Sequence, residues 1–289
     1  MYNRILFPIG DTDGPAEVLQ HAGDIAQHLG GEIRLLHVAD TERYGTASTD
    51  QDVIDGLLRR GEEIVEDAGE TLAALDVEYS TDVVQGSPAQ TIVEYATEYD
   101  YDLIVMPTHG RDGLARYLLG SVTEKVVRLA TVPVLTARIA KGETFAFPYE
   151  HILVPTDGSD IAERAAKHAL DLAVATDATV HALSVVEAAE LGTYLSGDEP
   201  GEFNQEAQDA VADIATMAQS RDVEVTTHLE IGSPNDGILA AIEELDCQVV
   251  TMGTTGRRGV KRILLGSAAE KTVRTSPVPV VTVRGESEE

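Results

Sequence analysis

Apolar positions along this chain fall into two alternating patterns. Short, nearly continuous apolar runs such as Arg4–Ile9 and Leu103–Met106 read as strands buried on both faces. Between them the apolar spacing widens to three or four residues. Val18, Ala22, Ile25, Ala26 and Leu29 form one such stripe and predict a helix over Pro15–Leu29. Glu32–Val38 then reads as a strand, the polar stretch Asp40–Asp50 as a loop, and the region near Val53–Leu75 as a long helix. Val77–Val84 is a third predicted strand. Pro88–Glu98 is a helix with proline in its first turn, where the missing N–H costs nothing. Leu103–Met106, a helix from about Val122 to Leu129, and a strand at Val132–Thr136 complete the order β-α-β-α-β-α-β-α-β. Such alternation implies a mostly parallel sheet with helices on both faces.

The pattern occurs twice. NRILFPIGDTD near residue 3 matches EHILVPTDGSD near residue 150, and VVQGSPAQTIVEYA at 83 matches LEIGSPNDGILAAI at 229. The stretch from Met106 to Arg138 matches Met252 to Arg284 at 19 of 33 positions. The offset is 147 residues early and 146 later, so one residue of length separates the copies. The chain is therefore a tandem duplication of a domain of roughly 140 residues. The copies are placed at 1–139 and 150–285, joined by IAKGETFAFPYE with Gly142 and Pro148 as breakers. The second copy repeats the strands at Ile152–Pro155, Thr179–Val186, Val223–Glu230, Gln248–Met252 and Val278–Val283.

Composition narrows the function. Apolar residues make up 43% of the chain, enough for a sizeable core. Against 50 Asp+Glu stand 21 Lys+Arg, a formal net charge of -29. That excludes non-specific nucleic-acid binding, which needs cations to displace counterions from phosphate, and docking on anionic lipid. No apolar run is long enough to span a bilayer, and MYNRILFPIG is broken too early for a signal peptide. The one cysteine, Cys247, allows no internal disulfide and no multi-cysteine zinc site. A cytoplasmic location is the expectation. A charge this large repels itself at low salt, and at molar salt the Debye length falls to ~3 Å. With only 5 lysines, the composition points to a salt-adapted source such as a halophilic archaeon.

In open parallel sheets ligands bind beyond the carboxyl ends of the strands, at the topological switch point. There the second copy places Gly253-Thr-Thr-Gly256, nine residues, then Gly266-Ser267. Glycines let backbone N–H groups approach a phosphate, and a helix N-terminus favours an anion. The spacing is neither a Walker A loop nor GxGxxG. Together with Asp157 at the end of ILVPTD it resembles the nucleotide-binding branch of the universal stress protein family. That pattern is glycine, two residues, glycine, nine residues, glycine and Ser or Thr, and the resemblance covers both copies. It implies two tandem Rossmann-like open sheets of five mostly parallel strands, packed as a pseudo-dimer through the last strands, VPVLTAR and VPVVTVR. It also implies ATP (or AMP/ADP), with Mg2+, as the ligand of the second copy. Asp157 would hold the adenosine end, and the backbone around Val185 and Met252 would meet adenine. The backbone of Gly253, Gly256 and Gly266, with the Ser267 hydroxyl, would hold ribose and phosphates.

The first copy departs from this pattern. Gly10 stands where Asp157 stands, and Pro107 replaces Gly253, removing a carboxylate and an N–H. Asp11 sits one residue late. Val38, Gly110, Gly120 and Ser121 remain as a weaker first site. Plainer roles exist beside these. Ser121 and Ser267 each precede a glutamate by three, Glu124 and Glu270, which is the pattern of a capping box. Asp157 can cap the next helix. Gly86 and Gly232 read as turn glycines. Arg257, Arg258, Lys261 and Arg262 can neutralise phosphates or lie on a solvated face. His21 and His168 read as helix packing, His109 as a loop residue, and Cys247 as a buried thiol.

The resemblance implies a nucleotide-binding protein of stress response or signalling, with protein partners and a homodimer of the tandem chain open. No committed catalytic base is present, so slow ATP hydrolysis or autophosphorylation is the most that the family pattern allows. The alternative is a scaffold that binds no nucleotide and acts through protein contacts.

Overall fold

The computed structural model describes residues 1–10, 16–41, 51–108, 119–138, 144–187, 200–256 and 265–285, with the side chains of 200–204 outside that set. The chain forms two compact units, Met1–Pro148 and Tyr149–Glu289. Unit 1 runs β1 (Arg4–Ile9), α1 (Ala16–Leu29), β2 (Glu32–Ala39), α2 (Gln51–Ala74), β3 (Tyr79–Gln85), α3 (Pro88–Glu98), β4 (Leu103–Pro107), α4 (Ser121–Leu129) and β5 (Val134–Ala137). Unit 2 runs β6 (His151–Pro155), α5 (Asp160–Thr176), β7 (Thr179–Val186), α6 (Pro200–Gln219), β8 (Val225–Ile231), α7 (Pro234–Glu244), β9 (Val249–Gly253), α8 (Ser267–Thr275) and β10 (Val280–Val283).

Within unit 1 the strands lie in the order β3-β2-β1-β4-β5, and within unit 2 in the order β8-β7-β6-β9-β10. The pairs inside each unit are parallel. The middles of the central strands are buried: Ile5, Leu6, Leu103 and Ile104 in unit 1, and Ile152, Leu153, Val249 and Val250 in unit 2. Burial on both faces explains why these strands read as unbroken apolar runs rather than alternating ones.

Where the ladders start later than the sequence pattern indicates, the cause is local. β5 begins at Val134 rather than Val132, and β10 at Val280 rather than Val278. Pro133 and Pro279 have no N–H to donate, though their carbonyls accept from Ile104 and Val250. β3 begins at Tyr79 rather than Val77 because the Val77 N–H closes the end of α2, donating to Leu72 O at 3.2 Å. Val223 does the same to Ala218 O at the end of α6. Both follow an aspartate in the left-handed region, Asp76 and Asp222.

Candidate functional site

In unit 2 the first connection leaves β6 toward β7, and the chain later returns to pair β9 on the other side of β6. Two loops therefore diverge at the carboxyl ends of β6 and β9, which opens a crevice there. A cavity of about 620 Å3 fills it. Its walls come from Pro155–Asp157 at and beyond the end of β6, Leu183–Glu187 at the end of β7, Met252–Gly256 at and beyond the end of β9, and Gly266–Ala269 at the start of α8. All seven residues that the sequence placed in the second site, Asp157, Val185, Met252, Gly253, Gly256, Gly266 and Ser267, line this cavity.

The structure gives each glycine a distinct reason. A Cβ on Gly256 would run into the Asp157 carboxylate, so this glycine lets Asp157 lie flat against the loop. A Cβ on Gly253 would lie 2.8 Å from Ile161 Cγ2 and 3.4 Å from Ala162 N, at the first turn of α5. Gly266 donates its N–H to Thr254 O at 2.7 Å, and a Cβ there would lie 3.2 Å from that oxygen. Its amide is committed to closing the loop rather than offered to a ligand. Gly120 makes the same bond to Thr108 O in unit 1, at 2.8 Å.

The capping readings also change. Gly266 is the N-cap of α8 and Gly120 that of α4; Ser267 and Ser121 are the first helical residues. Neither helix has a side-chain cap, and the Glu270 carboxylate pairs with Arg274 at 2.8 Å instead of reaching back. The serines are exposed and are not capping-box residues. Asp157 does not cap α5 either. Ser159 does, its Oγ accepting from Ala162 N at 3.3 Å, while Asp157 Oδ1 accepts from Ser159 N at 3.1 Å in an Asx turn.

The cavity lining is of two chemical kinds. Val185, Ile238, Met252 and Ala269 contribute apolar surface. Val185 sits over Gly237, where a Cβ would come within 2.9 Å of its Cγ2. The start of α8 presents to it the positive end of a nine-residue helix beside the Ser267 hydroxyl. Asp157 accepts hydrogen bonds only, so it suits hydroxyls or amines and repels phosphate. Thr156, Ser184, Glu206 and Ile238 also line the cavity and escaped the sequence reading. Thr156 and Ser184 stand next to predicted positions, but Glu206 on α6 and Ile238 on α7 carry no local motif. No cluster of His, Cys, Asp or Glu among the described residues could hold a metal ion.

Unit 1 is altered at the matching place. Position 10 is exposed, and a Cβ there would meet nothing within 4 Å. Pro107 ends β4, and its carbonyl accepts from Thr123 Oγ1 at 3.0 Å. Val38 is buried near the end of β2, and Gly120 and Ser121 open α4 as their counterparts open α8. Gly110, Asp11, His109 and the basic cluster Arg257, Arg258, Lys261 and Arg262 lie outside the described residues. Gly86 and Gly232 both adopt positive φ directly after an edge strand, as turn glycines do.

Fold and site together define a tandem pair of doubly wound α/β units, with a cleft at the switch point of the second built around a glycine loop and a helix N-terminus. The model of the universal stress protein family matches residues 1–138 and again 148–284, and the chain belongs to that family. It is 34% identical to the universal stress protein MJ0531 of Methanocaldococcus jannaschii over 158 residues, 52% of this chain and 89% of that one. Against the universal stress protein Mb2028c of Mycobacterium bovis it is 32% identical over 211 residues, 71% of this chain and 68% of the relative. A crystal structure of a universal stress protein from Archaeoglobus fulgidus superposes with a TM-score of 0.75 at 26% identity, covering 98% of this chain and 99% of that one.

Proposed function

We propose that unit 2 binds ATP, or AMP or ADP in its place, and that the protein acts in stress response or signalling by sensing that nucleotide. The observation that carries this reading is the mixed lining of the cavity, apolar residues together with Asp157, Ser267 and a helix N-terminus. Its apolar residues accept a flat base, Asp157 accepts from ribose hydroxyls, and the α8 N-terminus with Ser267 receives phosphates. Mg2+ would enter on the phosphates, since no carboxylate cluster among the described residues waits for it. The chain is a binding protein in this account, with at most slow turnover. Its place is the cytoplasm, consistent with the absence of any helix, among the described residues, long and apolar enough to cross a membrane.

Unit 1 lacks the carboxylate that would meet ribose, and we assign it a weak or altered ligand, or a role in contacts with a protein partner. Matched substitutions separate the two units. Gly256→Val pushes Asp157 out of its seat and abolishes ATP binding. Gly110→Val, the same change in unit 1, leaves binding intact. Equilibrium titration with a fluorescent ATP analogue reads both. Loss on Gly110→Val with retention on Gly256→Val would reverse the assignment, and no binding by the parent chain would favour the scaffold reading.

A further inference from the structure

Away from the cavity, three histidines stand in a row across β6, β7 and β8, at the first residue of β6, the third of β7 and the middle of β8. His151 Nδ1 lies 3.1 Å from His181 Nε2. His181 Nδ1 lies 2.7 Å from Thr226 Oγ1 and 3.4 Å from His228 Nε2, and Thr226 Oγ1 lies 3.0 Å from His228 Nε2. The register puts all three rings on one face, since Leu153 pairs with His181 and Leu183 with His228. Val185, on that same face of β7, lies against Gly237 of α7, so α7 lies on the face that carries the row. His181 is buried, with 7% of its surface exposed; its neighbours are half-buried.

The duplication supplies an internal comparison. At the matching positions unit 1 has Arg4, Arg34 and Asp82. Arg4 pairs with Glu32 at 3.3 Å and lies over the Tyr101 ring, and Asp82 accepts from Tyr95 OH at 2.8 Å. Arginine and a carboxylate keep their charges from neutrality down to mildly acid pH. Three imidazoles do not. In the neutral row each contact needs one hydrogen, and one acceptor faces each donor. If His181 and His151 both take a second proton, N–H faces N–H at 3.1 Å, with like charges 5.1 Å apart between ring centroids.

We propose that His151, His181 and His228 form an acid-sensitive clasp across β6, β7 and β8, closed at neutral pH and released as the row takes up protons. Burial first, then His151 and His228, hold the His181 imidazole down to about 4. A folded-state value below the unfolded one means stability that is complete above about pH 6.5 and declines as pH falls toward 4. The surrounding charges are Glu150 beside His151, Glu224 and Glu230 on or next to β8, and Glu243, Glu244 and Asp246 at the end of α7. All are exposed. Gln248 holds the start of β6, its Oε1 accepting from His151 N at 2.7 Å, where unit 1 has Asp102.

The test is amide hydrogen exchange on the full chain at pH 7.5 and pH 5, corrected for the intrinsic pH dependence of exchange. Opening of β7 and β8 should rise on the order of tenfold more than opening of β2 and β3. His21 and His168, at matching places in α1 and α5, are both held down to about 4, chiefly by burial, and so act alike in the two units. Equal changes in both units, or none, would overturn the proposal. The variant H151R/H181R/H228D, carrying unit 1's residues, should lose the excess opening. If that variant does not fold, the comparison of units within the parent chain still decides.

Discussion

Gly253 shows how one position can carry both a motif and a packing constraint. It is a glycine because α5 starts against it, with Ile161 Cγ2 at 2.8 Å from the place of a Cβ. In the first copy the partners are exchanged: Pro107 stands for Gly253 and Gly14 for Ile161. Gly14 lies outside the described residues. Gly253→Ala should cost about 1–3 kcal/mol in urea unfolding, as overpacking does. In an Ile161→Ala background, which removes that Cγ2, the cost should fall, giving a coupling on the order of 1 kcal/mol in a double-mutant cycle. Independent, additive costs would show that the glycine is needed for something else. The motif was legible because its residues are close in sequence and its spacing is rare. The separate reasons for its glycines were not, since Asp157, Ile161 and Thr254 meet them only after folding.

At the level of elements, the helix termini divide structure from ligand binding. Ser159 caps α5, whereas Ser267 makes no side-chain hydrogen bond to the described residues and follows the N-cap of α8. Ser159→Ala should cost about 1 kcal/mol of stability. Ser267→Ala should change stability by less than about 0.5 kcal/mol, as surface changes do, yet weaken ATP. A stability cost at Ser267 as large as that at Ser159 would return it to a capping role. The other termini share an unusual choice: all five non-glycine residues at positive φ among the described residues are aspartates. One is Asp177, the left-handed C-cap of α5, where a negative charge opposes the helix dipole. Asp177→Gly should stabilise unit 2 by about 1 kcal/mol in the same assay. Strand and helix order could be read almost whole from apolar spacing. The misplaced starts of β3, β5, β8 and β10 trace to prolines and helix-closing bonds, which spacing does not encode.

For the whole molecule, charge and buried histidines set the working conditions. A net charge of -29 predicts a melting temperature that climbs as KCl rises from 0.1 M toward molar concentrations, by screening of self-repulsion. A flat or falling response would remove the salt-adapted reading. Burial holds His21 and His168 neutral, with values about 4 against an unfolded 6.5, so each contributes stability that is lost as pH falls through that interval. His168→Gln should flatten the acid side of the stability profile. A slope equal to the parent's would mean that His168 takes up its proton in the fold. Duplication itself was plain in the sequence, and with it the inequality of the two halves. Which half binds is the central claim, and calorimetric titration of Mg-ATP in molar KCl tests it most directly. The account predicts one site per chain, absent in Gly256→Val. Two equal sites, or no heat at a hundredfold excess over a micromolar constant, where a bound ligand would stabilise the fold by ~2.7 kcal/mol, would contradict it.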